Sequence, residues 1–81
     1  MKQLTLYTKP GCHLCEELKE ILLRVRQQQE FELNHVDISG DRLLTRRYGH
    51  HIPVLLIDGI EVGRNRIDEG DLIRKLNNDQ G

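Results

Sequence analysis

The chain has 81 residues, of which 37% are hydrophobic and 31% charged, and its net charge is −1. This length suits one small domain, residues 1–81, and the composition is too apolar for a disordered tail. Balanced charge and few aromatic residues argue against nucleic-acid binding and against an anionic membrane surface. No segment has the length of a membrane span or the apolar core of a secretory leader, so we expect a cytoplasmic protein without a membrane partner.

The first half of the chain predicts a β-α-β unit. Residues 4–7 alternate apolar and polar side chains, which is typical of a strand. Between residues 15 and 26, apolar side chains recur at three- and four-residue spacing, which predicts a helix with one buried face. Residues 31–33 and 36–38 predict a second strand, and the helix between the two strands is long enough for parallel pairing.

The second half predicts a short helix, a hairpin and a final helix. Asp41 is a suitable N-cap for a helix over residues 42–48. Residues 53–57 form a continuous apolar run, as expected for a central strand, and an Asp-Gly pair then predicts a tight turn into an antiparallel strand at residues 60–62. A helix at residues 68–77 completes the order β-α-β-α-β-β-α, an α/β sandwich of four strands and three helices.

Cys12 and Cys15 are the only cysteines in the chain, and they lie at the predicted start of the first helix. Unpaired backbone N–H groups and the positive end of the helix dipole favour a thiolate over a thiol at this position. The second cysteine, one helical turn on, is close enough to attack a mixed disulfide formed by the first. The spacing therefore predicts a reversible redox pair. A purely structural disulfide is the alternative, but it would close too short a loop to stabilise the fold much.

His50 and His51 precede Pro53 and raise the question of a metal site shared with the two cysteines. Neighbouring side chains in an extended segment point to opposite faces, so these histidines are poorly placed to bind one ion together. Zinc fingers use histidines separated by several residues and closer along the chain to their cysteines. We therefore expect no metal site.

The element order and the cysteine motif together resemble the thioredoxin superfamily, and within it the glutaredoxins and the small glutaredoxin-like proteins. Four segments carry the resemblance, which covers nearly the whole chain: residues 4–15, 36–38, 52–54 and 58–59. The resemblance implies a thioredoxin-like sandwich of the glutaredoxin type with a four-stranded mixed sheet. It also implies a thiol–disulfide oxidoreductase that takes part in electron transport and cell redox homeostasis.

The resemblance assigns roles around the cysteine motif. Cys12 would be the nucleophile and Cys15 the resolving thiol. Lys9 matches the family's lysine three residues before the nucleophile and would stabilise its thiolate. His13 would add to that effect when it is protonated, or is an exposed spacer residue. A helix start and a nearby cation lower a cysteine pKa from ~8.5 to between ~3.5 and ~7.5.

Pro53 matches the proline that opens the third strand in this superfamily, where the preceding bond is cis and the ring faces the active-site sulfurs. The backbone of Ile52 would then be free to pair with an extended substrate. Arg64 is expected to be a further substrate-binding residue.

The chain departs from the glutaredoxin pattern in two places. His-Leu replaces Pro-Tyr between the cysteines, and residues 62–66 carry one glycine and two arginines where the family has Gly-Gly followed by an aspartate for the glutathione amine. Glutathione recognition is therefore expected to be weak. Arg46, Arg47, Arg64 and Arg66 would bind a carboxylate or phosphate if their side chains converge, and are otherwise solvated surface charges.

These residues and the resemblance lead to the following expectations for ligands and partners. No cofactor is expected to be tightly bound, and glutathione is a candidate electron donor. The substrate is a disulfide-containing protein or glutathione, the reductant is a reductase or glutathione, and the protein is a monomer without a nucleic-acid partner. The alternative function is a non-catalytic thioredoxin-like binding module, or a carrier of metal or of an iron–sulfur cluster.

Overall fold

Four strands and three helices follow one another in the predicted order in the computed structural model, which describes residues 1–78. The strands are β1 (Gln3–Thr8), β2 (Glu32–Asp37), β3 (Val54–Ile57) and β4 (Ile60–Arg64). The helices are α1 (His13–Arg26), α2 (Arg42–Tyr48) and α3 (Glu69–Asn78), and a 3₁₀ turn covers Ile38–Gly40. Of the three helices, none is both long enough and apolar enough to cross a bilayer over the part of the chain described.

The sheet has the strand order β2-β1-β3-β4 and is mixed, as predicted. Strand β1 pairs in parallel with β2 and antiparallel with β3, while β3 and β4 form an antiparallel hairpin. The hairpin turn consists of Asp58 and Gly59, which have φ angles of 50° and 84°. Positive φ at both central residues is what a tight two-residue hairpin turn requires, so this turn is confirmed. The edges of the sheet are β2 and β4.

The sheet buries a separate apolar cluster on each face. Side chains alternate along β3, so that Leu55 and Ile57 face one cluster while Val54 and Leu56 face the other. Helices α1 and α3 cover the first cluster, and α2 covers the second. The buried members of the first are Leu4, Leu6, Leu18, Leu22, Val25, Phe31, Leu55, Ile57, Leu72 and Leu76. Those of the second are Cys15, Ile38, Tyr48, Ile52 and Val54.

The element boundaries lie within two residues of the sequence prediction, and those of β2 differ around buried apolar residues. Strand β2 excludes Phe31 and Ile38, although only 1% and 0% of their surfaces are exposed. Ile38 instead opens the 3₁₀ turn, because the Asp37 carboxylate accepts a hydrogen bond from the Ser39 amide at 2.9 Å and ends the strand. Helix α3 begins after Asp68, whose carboxylate caps it.

Candidate active site

Cys12 and Cys15 form a disulfide across the first turn of α1, with their Cα atoms 5.2 Å apart. Cys12 is the N-cap residue in extended conformation, and its Sγ accepts a hydrogen bond from the Cys15 amide at 3.1 Å. Cys12 is partly exposed, whereas only 1% of Cys15 is accessible. One sulfur therefore lies at the surface beside a backbone donor, and the other lies in the core.

A sharp loop brings Cys12 to the helix start. Gly11 has a φ of 76°, in the left-handed region where a side chain would be strained, and it turns the chain from β1 into α1. His13, the first residue of the helix, is exposed. The Lys9 ammonium donates to the carbonyl oxygen of Gly49 at 3.1 Å. Lys9 thus lies in the loop before Cys12 with its charged group held at the end of α2.

The segment from His51 to Pro53 forms the other side of the site. The Ile52–Pro53 bond is cis, as expected from the resemblance. Ile52 belongs to the second apolar cluster, against which Cys12 packs. The Asn65 amide donates to the carbonyl oxygens of both His51 (3.1 Å) and Pro53 (2.8 Å). Among residues 1–78, the amide and carbonyl of Ile52 itself have no hydrogen-bond partner.

The four arginines singled out in the sequence do not converge on one site. Both nitrogens of the Arg64 guanidinium pair with the Glu61 carboxylate, at 2.6 and 2.8 Å. These hydrogen bonds lower the pKa of Glu61. Arg47 lies over the Tyr48 ring, 5.5 Å from its centre. Arg46 and Arg66 line two different cavities, so the four arginines do not form one anion site.

A different basic cluster lies on α2. The cavity that Arg46 lines has a volume of about 530 Å³, and its other lining residues are Ser39, Arg42, Thr45 and His50. Arg42 was not among the arginines singled out in the sequence. Its signal was the four-residue spacing of Arg42 and Arg46, which places them on one face of α2, while His50 follows the end of the helix.

A second polar feature lies beneath α1, next to the buried cysteine. Thr8 and His35 share a hydrogen bond of 2.6 Å between Oγ1 and Nε2. Both line a cavity of about 150 Å³ that is also lined by Cys15 and Asp37. Hydrogen bonds from Ser39, with a smaller contribution from the charge of His35, lower the pKa of Asp37. No local pattern marks this cluster, because Thr8 and His35 are 27 residues apart and are brought together only when β1 pairs with β2.

The two adjacent histidines lie in different surroundings. The His50 side chain lines the cavity on α2, whereas the backbone of His51 is bound by Asn65. Over the described residues 1–78, no three His, Cys, Asp or Glu side chains form a group suited to holding a metal ion. The disulfide between Cys12 and Cys15 is suited to exchange with a dithiol.

Comparison with known proteins agrees with this geometry. The family model "Glutaredoxin-like domain (DUF836)" matches residues 3–77. A protein from X. campestris, known from an X-ray structure, is 33% identical, with a TM-score of 0.80 over 93% of this chain and 96% of that one. A glutaredoxin-like protein from Dictyostelium discoideum is 29% identical, over 86% of this chain and 70% of its own.

A more distant likeness concerns the fold alone. A thioredoxin from Halobacterium salinarum, in a mutant form, superposes with a TM-score of 0.65 at 22% identity. The match covers 93% of this chain and 70% of that one. The sandwich described above is therefore a thioredoxin fold.

Proposed function

Because the chain belongs to the glutaredoxin-like domain family, whose model matches residues 3–77, we propose that it is a thiol–disulfide oxidoreductase. The observation that carries the proposal is the disulfide between partly exposed Cys12 and buried Cys15 in the first turn of α1. A redox pair needs one sulfur that meets the substrate and a second that the substrate does not reach. The difference in exposure between these two cysteines supports that division of roles.

In the first step, the Cys12 thiolate attacks one sulfur of a substrate disulfide. A bond forms between Cys12 and that sulfur, and the other substrate sulfur leaves as a thiolate, which then takes up a proton. The Cys15 amide, which donates to Cys12 Sγ at 3.1 Å, supports the thiolate form before the attack. The charge of His13, one residue into the helix, adds to this when the imidazole is protonated.

In the second step, Cys15 attacks the Cys12 sulfur of the mixed disulfide. The proton of Cys15 is lost, the Cys12–Cys15 bond forms, and the remaining substrate sulfur leaves as a thiolate. The two cysteines have then lost two electrons, which the substrate has gained. A thiol reductant, either glutathione or a dithiol reductase, returns two electrons to close the cycle.

The free backbone at Ile52 supports an extended protein or peptide as the substrate. The Asn65 amide binds the carbonyls on either side of Ile52 and so fixes this segment. An incoming strand would satisfy the unpaired amide and carbonyl of Ile52 while its cysteine meets Cys12. Arg64, held by Glu61, pairs across the hairpin with Val54, the residue after Pro53, and would contact the substrate beside its cysteine.

The experiment that tests the proposal is a trap for the mixed disulfide. The reduced Cys15→Ser variant, mixed with a peptide disulfide, should accumulate a covalent adduct through Cys12, detected by mass spectrometry. The wild type should instead end with a Cys12–Cys15 disulfide, and the Cys12→Ser variant should form neither product. An adduct at Cys15 in Cys12→Ser at the same rate, or a wild type that cannot be oxidised by the peptide, would contradict the proposed function.

A further inference from the structure

The cavity on α2 lined by Arg42, Arg46 and His50 is not used by the chemistry described above. We propose that it binds carboxylate groups of an acidic segment in the protein substrate, near the cysteine that is exchanged. This inference deepens the proposed function and rests on it, because it names the class of substrate that the redox pair would act on.

The two arginines of the cavity lack an anionic partner. No carboxylate pairs with Arg42 or Arg46 in the described part of the chain. Three other arginines do have one: Arg24 pairs with Glu69, Arg64 with Glu61 and Arg74 with Asp71. Guanidinium groups bind carboxylates through paired N–H donors, so two unpaired groups on one cavity form a ready carboxylate site.

The local charge balance also favours an external anion. Residues 42–57 contain three arginines and two histidines but no aspartate or glutamate. Like charges four residues apart on a helix destabilise it slightly, and Arg42 and Arg46 have this spacing. The nearest acid along the chain, Asp41, accepts a hydrogen bond from the Leu44 amide at 3.0 Å as the helix cap. A bound carboxylate would relieve the repulsion that the protein's own side chains leave in place.

The two hydroxyl side chains that line the cavity already have partners within the protein, so the basic side chains are left as donors to a ligand. The Thr45 hydroxyl donates to the carbonyl oxygen of Ile38 at 2.7 Å. Ser39 hydrogen-bonds to the Asp37 carboxylate and so already has a partner.

The distance from the redox site suits a peptide. His50 is two residues from Ile52, and one residue of extended chain spans at most about 3.6 Å, so their Cα atoms are no more than about 7 Å apart. A substrate strand paired with Ile52 rises about 3.3 Å per residue, so an acidic side chain two to four residues from its cysteine comes within reach of His50, at the edge of the cavity. Because one strand would fill both positions, we infer an acidic peptide rather than a small free anion.

The test uses two peptide disulfides that differ only in flanking residues, Asp at three positions in one and Asn in the other. Single turnovers of the prereduced protein are followed by formation of the Cys12–Cys15 disulfide, so no separate reductant is needed. The wild type should react about three- to tenfold faster with the Asp peptide at low salt, as expected for two exposed charge pairs. The preference should shrink at high salt because the charges are screened.

The variant R42Q/R46Q should lose this preference while reacting with the Asn peptide at the wild-type rate. The matched control is Arg26→Gln, which removes the same kind of charge at the far end of α1, where Arg26 lies over the Phe31 ring. Equal wild-type rates with the two peptides, or a preference that survives in R42Q/R46Q, would overturn the acidic-substrate inference and leave the oxidoreductase proposal intact.

A binding measurement separates this inference from the redox proposal. Peptides with Ser in place of Cys are titrated into the protein, and the amide resonances of residues 42–50 are followed by NMR. The Asp peptide should shift them and the Asn peptide should not, even if neither disulfide is reduced. Inorganic phosphate or glutathione that shifts the same resonances at the same concentration as the Asp peptide would overturn the assignment to an acidic peptide.

Discussion

The Lys9 ammonium donates to the carbonyl oxygen of Gly49 at 3.1 Å, and this bond joins two loops that are 40 residues apart in the chain. One of these loops carries Cys12 and the other leads into Pro53. Gly49 is itself closely packed, because a Cβ atom there would approach the carbonyl oxygen of Thr45 to 2.4 Å. The lysine therefore holds the two sides of the site together in addition to placing a positive charge near it.

The variant Lys9→Ala should loosen the segment before Pro53. A single exposed hydrogen bond contributes about 0.5–1.5 kcal/mol, so hydrogen exchange of the amides of residues 49–52 should accelerate about two- to tenfold. The control is Lys19→Ala, which removes a lysine paired with Glu16 on the exposed face of α1. Equal exchange in the two variants would show that the Lys9 bond does not restrain the loop.

Cys12 should be alkylated before Cys15 in the reduced protein. The reason is twofold: Cys12 is the more exposed sulfur, and its Sγ accepts a backbone hydrogen bond that favours the thiolate. Brief treatment with iodoacetamide at pH 6, followed by peptide mapping, should give at least about tenfold more label on Cys12. Equal labelling of the two cysteines, or more label on Cys15 than on Cys12, would contradict the roles proposed for them.

The stability of the protein should fall in acid partly through Glu61 and Asp71. The pKa of Glu61 is lowered by hydrogen bonds from Arg64, and the pKa of Asp71 by hydrogen bonds from Lys75 and Arg74. In the unfolded chain these carboxyl groups have pKa values of about 4. Around that pH the folded state therefore binds fewer protons than the unfolded state does.

The stabilisation from these two carboxylates is therefore complete at pH values above their pKa values in the unfolded chain. It is lost as the pH falls through their lower pKa values in the folded protein. Urea midpoints measured from pH 7 to pH 3 should therefore decline less steeply in a Glu61→Gln, Asp71→Asn double variant than in the wild type. Parallel curves for the two proteins would show that the pairs contribute no pH dependence.

Two adjacent leucines of α1 should respond very differently to truncation. Leu22 is fully buried in the first apolar cluster, whereas 58% of Leu23 is exposed. Leu22→Ala should lower the free energy of unfolding by about 2–5 kcal/mol, a large part of the total for a domain of this size. Leu23→Ala should change it by less than about 0.5 kcal/mol. Chemical denaturation of both variants measures the difference, and similar losses would contradict the helix orientation.

Activity on small glutathione disulfides should be low. The γ-glutamyl amine needs a carboxylate, but Glu61 already pairs with Arg64, and Asp68 caps α3. Loss of one charge-assisted contact costs about 1.5–3 kcal/mol, or roughly ten- to a hundredfold in affinity. The measurement compares turnover of a glutathionylated small molecule by this protein and by a glutaredoxin with the Gly-Gly and Asp pattern. Equal turnover would show that the arginine-containing segment supplies a working glutathione site.

The order of the elements was predictable because it depends on local patterns. Helix α2 has the predicted bounds, since both its Asp41 cap and its end are marked in the sequence, and the Asp-Gly turn fixed the hairpin. Phe31 and Ile38 were assigned to β2 because apolar periodicity reports burial. Apolar periodicity does not show which residues pair with β1. Phe31 and Ile38 are buried but do not pair with β1.

The candidate site was predictable only where one short motif contains it. Cys12 and Cys15 lie in one helical turn, and the cis bond before Pro53 followed from the family resemblance. The Thr8–His35 bond joins residues 27 positions apart, so no local pattern marks it. Arg42 was missed for another reason. Arg46, Arg47, Arg64 and Arg66 were considered together as one possible site, whereas the cavity is lined by the two arginines that share one face of α2, Arg42 and Arg46.

The placement of charged residues on the outer strands has a consequence for self-association. Exposed strands at the margins of a sheet can recruit identical strands from other molecules and so start aggregates. Here β2 carries Glu32 and Asp37 on exposed positions, and β4 carries Glu61 and Arg64. Charged side chains on these edge strands oppose pairing of the edge strand of one molecule with that of another. Under the proposed function, a substrate strand pairs at Ile52, between α2 and β3, and not along either of these charged margins.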